Sequence, residues 1–205
     1  MNEFEINKVE KDTIGEIGNI SMGNAATTLS MMVNHTVNIT TPKVELVSRK
    51  DVLNEYEKTC IFVQIHYIKG LTGNNVFILK EPDVMCMTDL MMGGTGAYAT
   101  GEMGELQLSA ISEAMNQMMG TSATSMAVMM GFPVDISTPE LTHIDVDSVK
   151  AYEKMFNTNA EAELVRVSFK MDIEDLIHST MVQIYPIEFA REMCEKFKEN
   201  KATVA

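Results

Sequence analysis

Two stretches, EIGN at 16–19 and EAMN at 113–116, each place a glutamate three residues ahead of an asparagine. Side chains three or four apart share one face of a helix. Asp12, Glu16 and Asn19 would therefore line up, as would Ser109, Glu113 and Asn116. A single Glu–Asn pair at this spacing is ordinary for a solvated helix face, where polar stripes are the rule. As reactive groups, Glu16 and Glu113 could form a carboxylate pair for acid–base work. Twofold-related helices would hold them too far apart for that. Ser21 and Ser122 have no histidine at a recognisable spacing, so a Ser–His nucleophile is not supported.

The second occurrence changes the weight of the first. Residues 12–42 lie over 109–139 without a gap, and twelve of the 31 positions are identical. They include Glu16/Glu113, Asn19/Asn116, Gly23/Gly120 and Pro42/Pro139. Solvated surfaces of duplicated units are free to diverge, whereas these residues persist. Gly23 and Gly120 fall on the stripe of the asparagines. Each leaves room for another backbone to approach, at a cost of roughly 1 kcal/mol in helix propensity.

The elements that must carry these residues follow from periodicity and turn residues. In the first unit a helix is expected at about 10–34, strands at Val37–Val47, Cys60–Ile68 and Asn75–Lys80, and a helix opened by proline at Pro82–Met92. The second unit repeats this order: a helix at about 107–130, strands at about 134–146, Glu163–Met171 and Thr180–Tyr185, and a helix from Pro186. The expected fold is α+β. A duplicated α-β-β-β-α unit pairs across a pseudo-twofold axis into one mainly antiparallel sheet covered by helices. A single domain over 1–205 would then hold two repeats, about 10–92 and 107–198, joined by a glycine-rich linker at 93–104. That linker lacks GK[ST] and is not read as a phosphate loop.

Composition narrows the partners. The chain is 45% hydrophobic and 22% charged, as folded proteins are, and its net charge of −13 repels nucleic acid and anionic lipid. Three scattered cysteines favour free thiols in a reducing compartment. The four histidines show no zinc spacing. The charged start and the short apolar runs match neither a signal peptide nor a membrane span, so the expected location is the cytoplasm. Nineteen methionines serve either as core filler, the preferred reading, or as an adaptable partner surface.

The pattern D/S-x3-E-x2-N-x22-P occurs twice, as Asp12, Glu16, Asn19, Pro42 and as Ser109, Glu113, Asn116, Pro139. It resembles the signature of the CheC, CheX and FliY family of chemotaxis phosphatases, over about residues 10–198 and most closely the FliY branch. The resemblance implies a phosphatase that hydrolyses the aspartyl phosphate of the response regulator CheY, in chemotaxis and flagellar motor control. It implies that Asn19 and Asn116 orient the attacking water and that Glu16 and Glu113 pair with the regulator's lysine. Asp12 and Ser109 would support the helix face. Pro42 and Pro139 would shape the strand that follows it, rather than touch the partner. The chain would bind no cofactor of its own, the magnesium ion belonging to the regulator. Flagellar switch proteins or CheD are further implied partners, at the motor switch complex. A non-catalytic switch or adaptor module that binds CheY or CheD is the alternative.

FliY proteins usually carry a FliN-like domain after this region, and the closing KENKATVA looks like the start of a linker, so both a stand-alone protein and an excised domain stay open. The sites differ at Gly18 and Met115. Met115 is expected to crowd a docked partner, which makes the first site the stronger.

Overall fold

A computed structural model describes residues 6–55, 59–97, 103–144 and 163–204. The first unit runs α1 (Lys8–Val33), β1 (Val37–Ser48), α2 (Arg49–Glu55), β2 (Cys60–Lys69), β3 (Gly73–Lys80) and α3 (Glu81–Met91). The second runs α4 (Glu105–Met130), β4 (Asp135–Ile136), β5 (Glu140–Ile144), β6 (Glu163–Ile173), β7 (Ile177–Pro186) and α5 (Ile187–Val204).

Local chemistry sets the ends of the long helices. Asn7 caps α1 by accepting from the Glu10 amide at 2.9 Å, while Glu10 reaches back to the Asn7 amide at 2.8 Å. This capping box satisfies two of the free N–H groups of the first turn. Gln107 makes the same return contact to the Gly104 amide at 3.1 Å. Asn34 and Gly131 stop the two helices in the left-handed conformation.

One antiparallel sheet takes strands from both units, in the order β1-β6-β7-β3-β2-β4, with β5 also paired to β2. The order is palindromic under exchange of the units. Each unit's first strand lies at an edge, on the second strand of the other unit: β1 on β6, and β4 and β5 on β2. The central β3–β7 pairing sets Val76 against Ile184, Phe77 against Gln183 and Ile78 against Val182. That register maps onto itself when Val76 exchanges with Val182 and Ile78 with Ile184, as an axis between Phe77 and Gln183 requires. The pseudo-twofold sheet expected from the repeat is present.

Alternation along the strands divides the core. Ile61, Val63 and Ile65 of β2, with Val165, Val167 and Phe169 of β6, pack with α1, α3, α4 and α5. Cys60, Phe62, Val76, Ile78 and Ile184 face the other side, where Val52 of α2 covers them. Helix α2 was not expected. Its sequence signal is Ser48-Arg-Lys-Asp51, in which the Ser48 hydroxyl accepts from the Asp51 amide at 3.1 Å. The strand expected at 134–146 is broken into β4 and β5, and its last two residues lie outside the described ones, as do residues 98–102 of the linker. Methionine mostly fills the core: Met22, Met87, Met115, Met118, Met119 and Met126 are among ten buried ones in the described residues. The three cysteines are buried free thiols, and burial pushes Cys194 up to about 11. Among the described residues no helix is long and apolar enough to cross a membrane.

Candidate functional site

Helices α1 and α4 lie side by side, tied by two hydrogen bonds. Asn24 donates to the Ser125 hydroxyl at 2.9 Å, and the Thr28 and Thr121 hydroxyls meet at 2.8 Å. The repeat aligns Asn24 with Thr121 and Thr28 with Ser125, so the second bond is the twofold image of the first. The outer faces of this helix pair carry the repeated residues. Asp12, Glu16 and Asn19 are exposed on α1, and Ser109, Glu113 and Asn116 are exposed on α4. A Cβ added at Gly23 or Gly120 would meet nothing within 4 Å, so both faces are open to an approaching chain.

Among the described residues neither asparagine amide has a hydrogen-bond partner. The glutamates differ in this respect. Lys201, near the end of α5, reaches Glu16 at 2.9 and 3.2 Å. Glu113 instead accepts from Gln117, one turn along its own helix, at 2.6 Å. The lengths of the flanking helices explain this. Counted from the prolines that open them, Pro82 and Pro186, α3 stops at Met91, whereas α5 runs on to Val204 and carries Lys201 to the first site. With separate partners, the two carboxylates do not form an acid–base pair.

The edge strands supply the side wall. Between Thr40 and Lys43 the β1–β6 register gains one residue, a β-bulge that contains Pro42. Proline has no N–H to give the ladder, so its place at a bulge on an edge strand is the expected one. Pro42 Cγ lies 3.9 Å from where a Gly15 Cβ would stand. Pro139 is buried and sits in the gap between β4 and β5, where the edge strand breaks altogether. Both prolines thus shape an edge strand, and Pro42 also lines the site.

At the first site helix and strand enclose a cleft of about 1040 Å³, lined by residues that include Asp12, Glu16, Asn19, Pro42 and three lysines, Lys8, Lys11 and Lys43. Lys43 pairs with Glu45 at 2.7 Å, and Arg166 of β6 reaches the same carboxylate at 2.9 Å. Lys43 first and Arg166 second hold the Glu45 carboxyl below its ordinary value. The lysines were missed in the sequence. Lys8 and Lys11 stand one turn before Asp12 and Gly15 on the same stripe, and Lys43 follows the repeated proline, so their spacing already placed them beside Glu16.

One expectation needs correction. Gly18 and Met115 do not border the sites. Met115 is 1% exposed, inside the core, and cannot crowd a docked partner. A Cβ on Gly18 would come within 3.2 Å of the Phe169 ring. Strand pairing makes Phe169 the equivalent of Ile65, through Val167 opposite Gln183 and Val63 opposite Phe77. The small helix residue accompanies the large strand residue in one unit, and a larger helix residue accompanies isoleucine in the other. The difference is one of core volume, not of the reactive face.

The sequence model of the CheC-like family matches residues 9–46 and 106–143. The chain is 36% identical over 198 residues to the flagellar motor switch phosphatase FliY of Bacillus subtilis strain 168, covering 97% of this chain and 52% of that protein. It thus spans about half the length of the curated relative it matches. With the crystal structure of Thermotoga maritima FliY it shares 39% identity and a TM-score of 0.89, covering 95% of this chain and 98% of the other. The FliM middle domain from H. pylori shares the fold at 14% identity and a TM-score of 0.71, over 93% of this chain and 99% of that one.

Proposed function

Because this chain belongs to the CheC-like family, we propose that it hydrolyses the aspartyl phosphate of the chemotaxis response regulator CheY at the flagellar motor. The observation that carries the reading is the pair of exposed carboxamides, Asn19 and Asn116, each without an internal partner on an open, twofold-related helix face.

Attack of water on an acyl phosphate passes through a loose transition state, so positioning and charge stabilisation supply most of the rate. A carboxamide offers an acceptor and two donors, enough to hold a water in line with the scissile bond while taking no proton. A glutamate one turn away gives a charge-assisted bond to the regulator's active-site lysine, which fixes the approach. A magnesium ion held by the regulator, not by this chain, would supply charge neutralisation at the phosphoryl oxygens. At the first site Lys201 already shows how an ammonium group seats on Glu16, at 2.9 Å. It must give way to the regulator's lysine, and at 59% side-chain exposure it can move into solvent.

The adaptor alternative, in which the chain holds CheY, CheD or flagellar switch proteins without hydrolysis, leaves the free amides without a use. The decay of phosphorylated CheY with and without the protein separates the two. Acceleration in proportion to protein concentration supports hydrolysis, and binding without acceleration supports the adaptor.

A further inference from the structure

The two faces share their carboxamides and differ in charge. We propose that Lys8, Lys11 and Lys43 form a recruiting rim that draws an anionic, phosphorylated protein face to the first site, and that the second site has no such rim. The proposal rests on the phosphatase reading and adds to it where the partner docks first.

The three ammonium groups line the cleft that holds Asn19, and among the described residues the carboxylates on that lining are Asp12 and Glu16. Lys201 already neutralises Glu16. Lys43 shares Glu45 with Arg166 and stays 72% exposed, so its charge faces outward. At the equivalent positions of the second unit stand Glu105 for Lys8, Leu108 for Lys11 and Glu140 for Lys43, with Ser109 for Asp12 and Glu113 for Glu16. That set holds three carboxylates and no cation.

The lysines also stand at a local cost. The first turn of a helix favours negative charge, and Glu105 takes the favoured arrangement in α4. Lys8 and Lys11 open α1 against that preference, with Glu10 of the capping box as the acid between them. With a net charge of −13 the molecule as a whole repels an anionic partner. Salt screens that long-range field beyond about 8 Å at physiological ionic strength. Inside that distance the local rim decides, and of the two matched sets of residues the first offers attraction. Steering of this kind acts on encounter and changes rates by about 10- to 10³-fold.

The test uses two proteins with one working site each, Asn116→Ala and Asn19→Ala, and follows the decay of phosphorylated CheY as salt rises from about 50 to about 300 mM. The first-site protein should lose about tenfold in kcat/KM over that range, and about as much at low salt when Lys8, Lys11 and Lys43 become Glu, with the change in KM and not in kcat. The second-site protein should be flat or gain with salt, and Glu105→Lys with Glu140→Lys should lower its KM. The milder Lys→Gln set, checked by thermal melting, guards against a folding defect. Equal salt dependence in the two proteins, or an unchanged KM in the lysine variants, overturns the proposal. If neither protein accelerates decay, the hydrolysis reading has failed and binding decides the rim. Calorimetry then compares the unsubstituted protein and the lysine variants against CheY activated by beryllofluoride. Affinity lost with the lysines upholds the rim, and affinity indifferent to them overturns it.

Discussion

Around Asn19 the chain builds a cleft from a bulged strand and a cationic rim, with the end of α5 reaching Glu16, whereas Asn116 sits on the same helix face with an interrupted edge strand and acidic neighbours. The second wall differs in its bracing too. Glu45 and Arg166 tie β1 to β6 by an ion pair, and strand pairing puts Thr142 and Phe62 at those positions in the other unit. What is alike in the two regions is what the proposed hydrolysis would use. What differs is how a partner reaches it. Duplication thus kept the Glu–Asn pair and let its surroundings diverge.

The largest effect is expected when both amides are removed. Asn19→Ala with Asn116→Ala should slow catalysed CheY dephosphorylation by roughly 10²-fold or more, the scale of lost positioning, with binding retained. Near-normal turnover in single-turnover assays would remove water orientation from both sites at once.

A second change tests whether the difference at Gly18 and Met115 belongs to the core. Gly18→Met should destabilise the fold by about 1–3 kcal/mol, because it drives a large side chain into Phe169. Urea unfolding measures it, and no loss of stability would return Gly18 to the reactive face.

The single variants sharpen the ranking. Asn19→Ala and Asn116→Ala should each keep part of the activity, with rates that roughly add, as distant sites do. Asn19→Ala should be the more damaging at low salt. The crowding expected of Met115 gives no reason for that order, and the lysine rim does. Steady-state rates at matched CheY concentration check it, and a larger loss from Asn116→Ala reverses it.

The smallest effect concerns the braced wall. Glu45 carries a lowered pKa when folded, so its ion pairs add stability above the ordinary carboxylate range. That stability disappears as pH falls through the folded value. The stability gap between the unsubstituted protein and Glu45→Gln should therefore be widest near neutrality and close in acid. Melts across pH measure this, and a constant gap would mean the carboxylate's charge is idle.

The repeat made much of this legible. A gapless alignment placed Glu16, Asn19, Glu113 and Asn116 on equivalent faces, and period-2 runs such as CIFVQIHYI gave the strands. The choice of strand partner was not legible, because alternation reports which face is buried and not which strand lies alongside. Nor was the meeting of Lys201 with Glu16, 185 residues apart, which depends on helix length and packing angle. Gly18 misled for a related reason. A helix stripe shows which residues share a face, but only the strand beneath, with Phe169, shows why one of them has no side chain.

The exchange of edge strands between units has a consequence for the protein's birth. Among the described residues strand β1 has one partner in the sheet, β6, and Glu45 meets Arg166 across 121 residues of chain. A nascent chain leaves the ribosome with β1 finished long before β6 exists, its ladder groups open as a template for wrong pairings. The first unit by itself therefore lacks the strand that pairs with β1. Expressed by itself, residues 1–97 should aggregate or pair as a swapped dimer, with a second copy's β2 taking β1, and gel filtration of that fragment would reveal either. Folding of the whole chain is correspondingly a late event, set by the slow closure of distant strands.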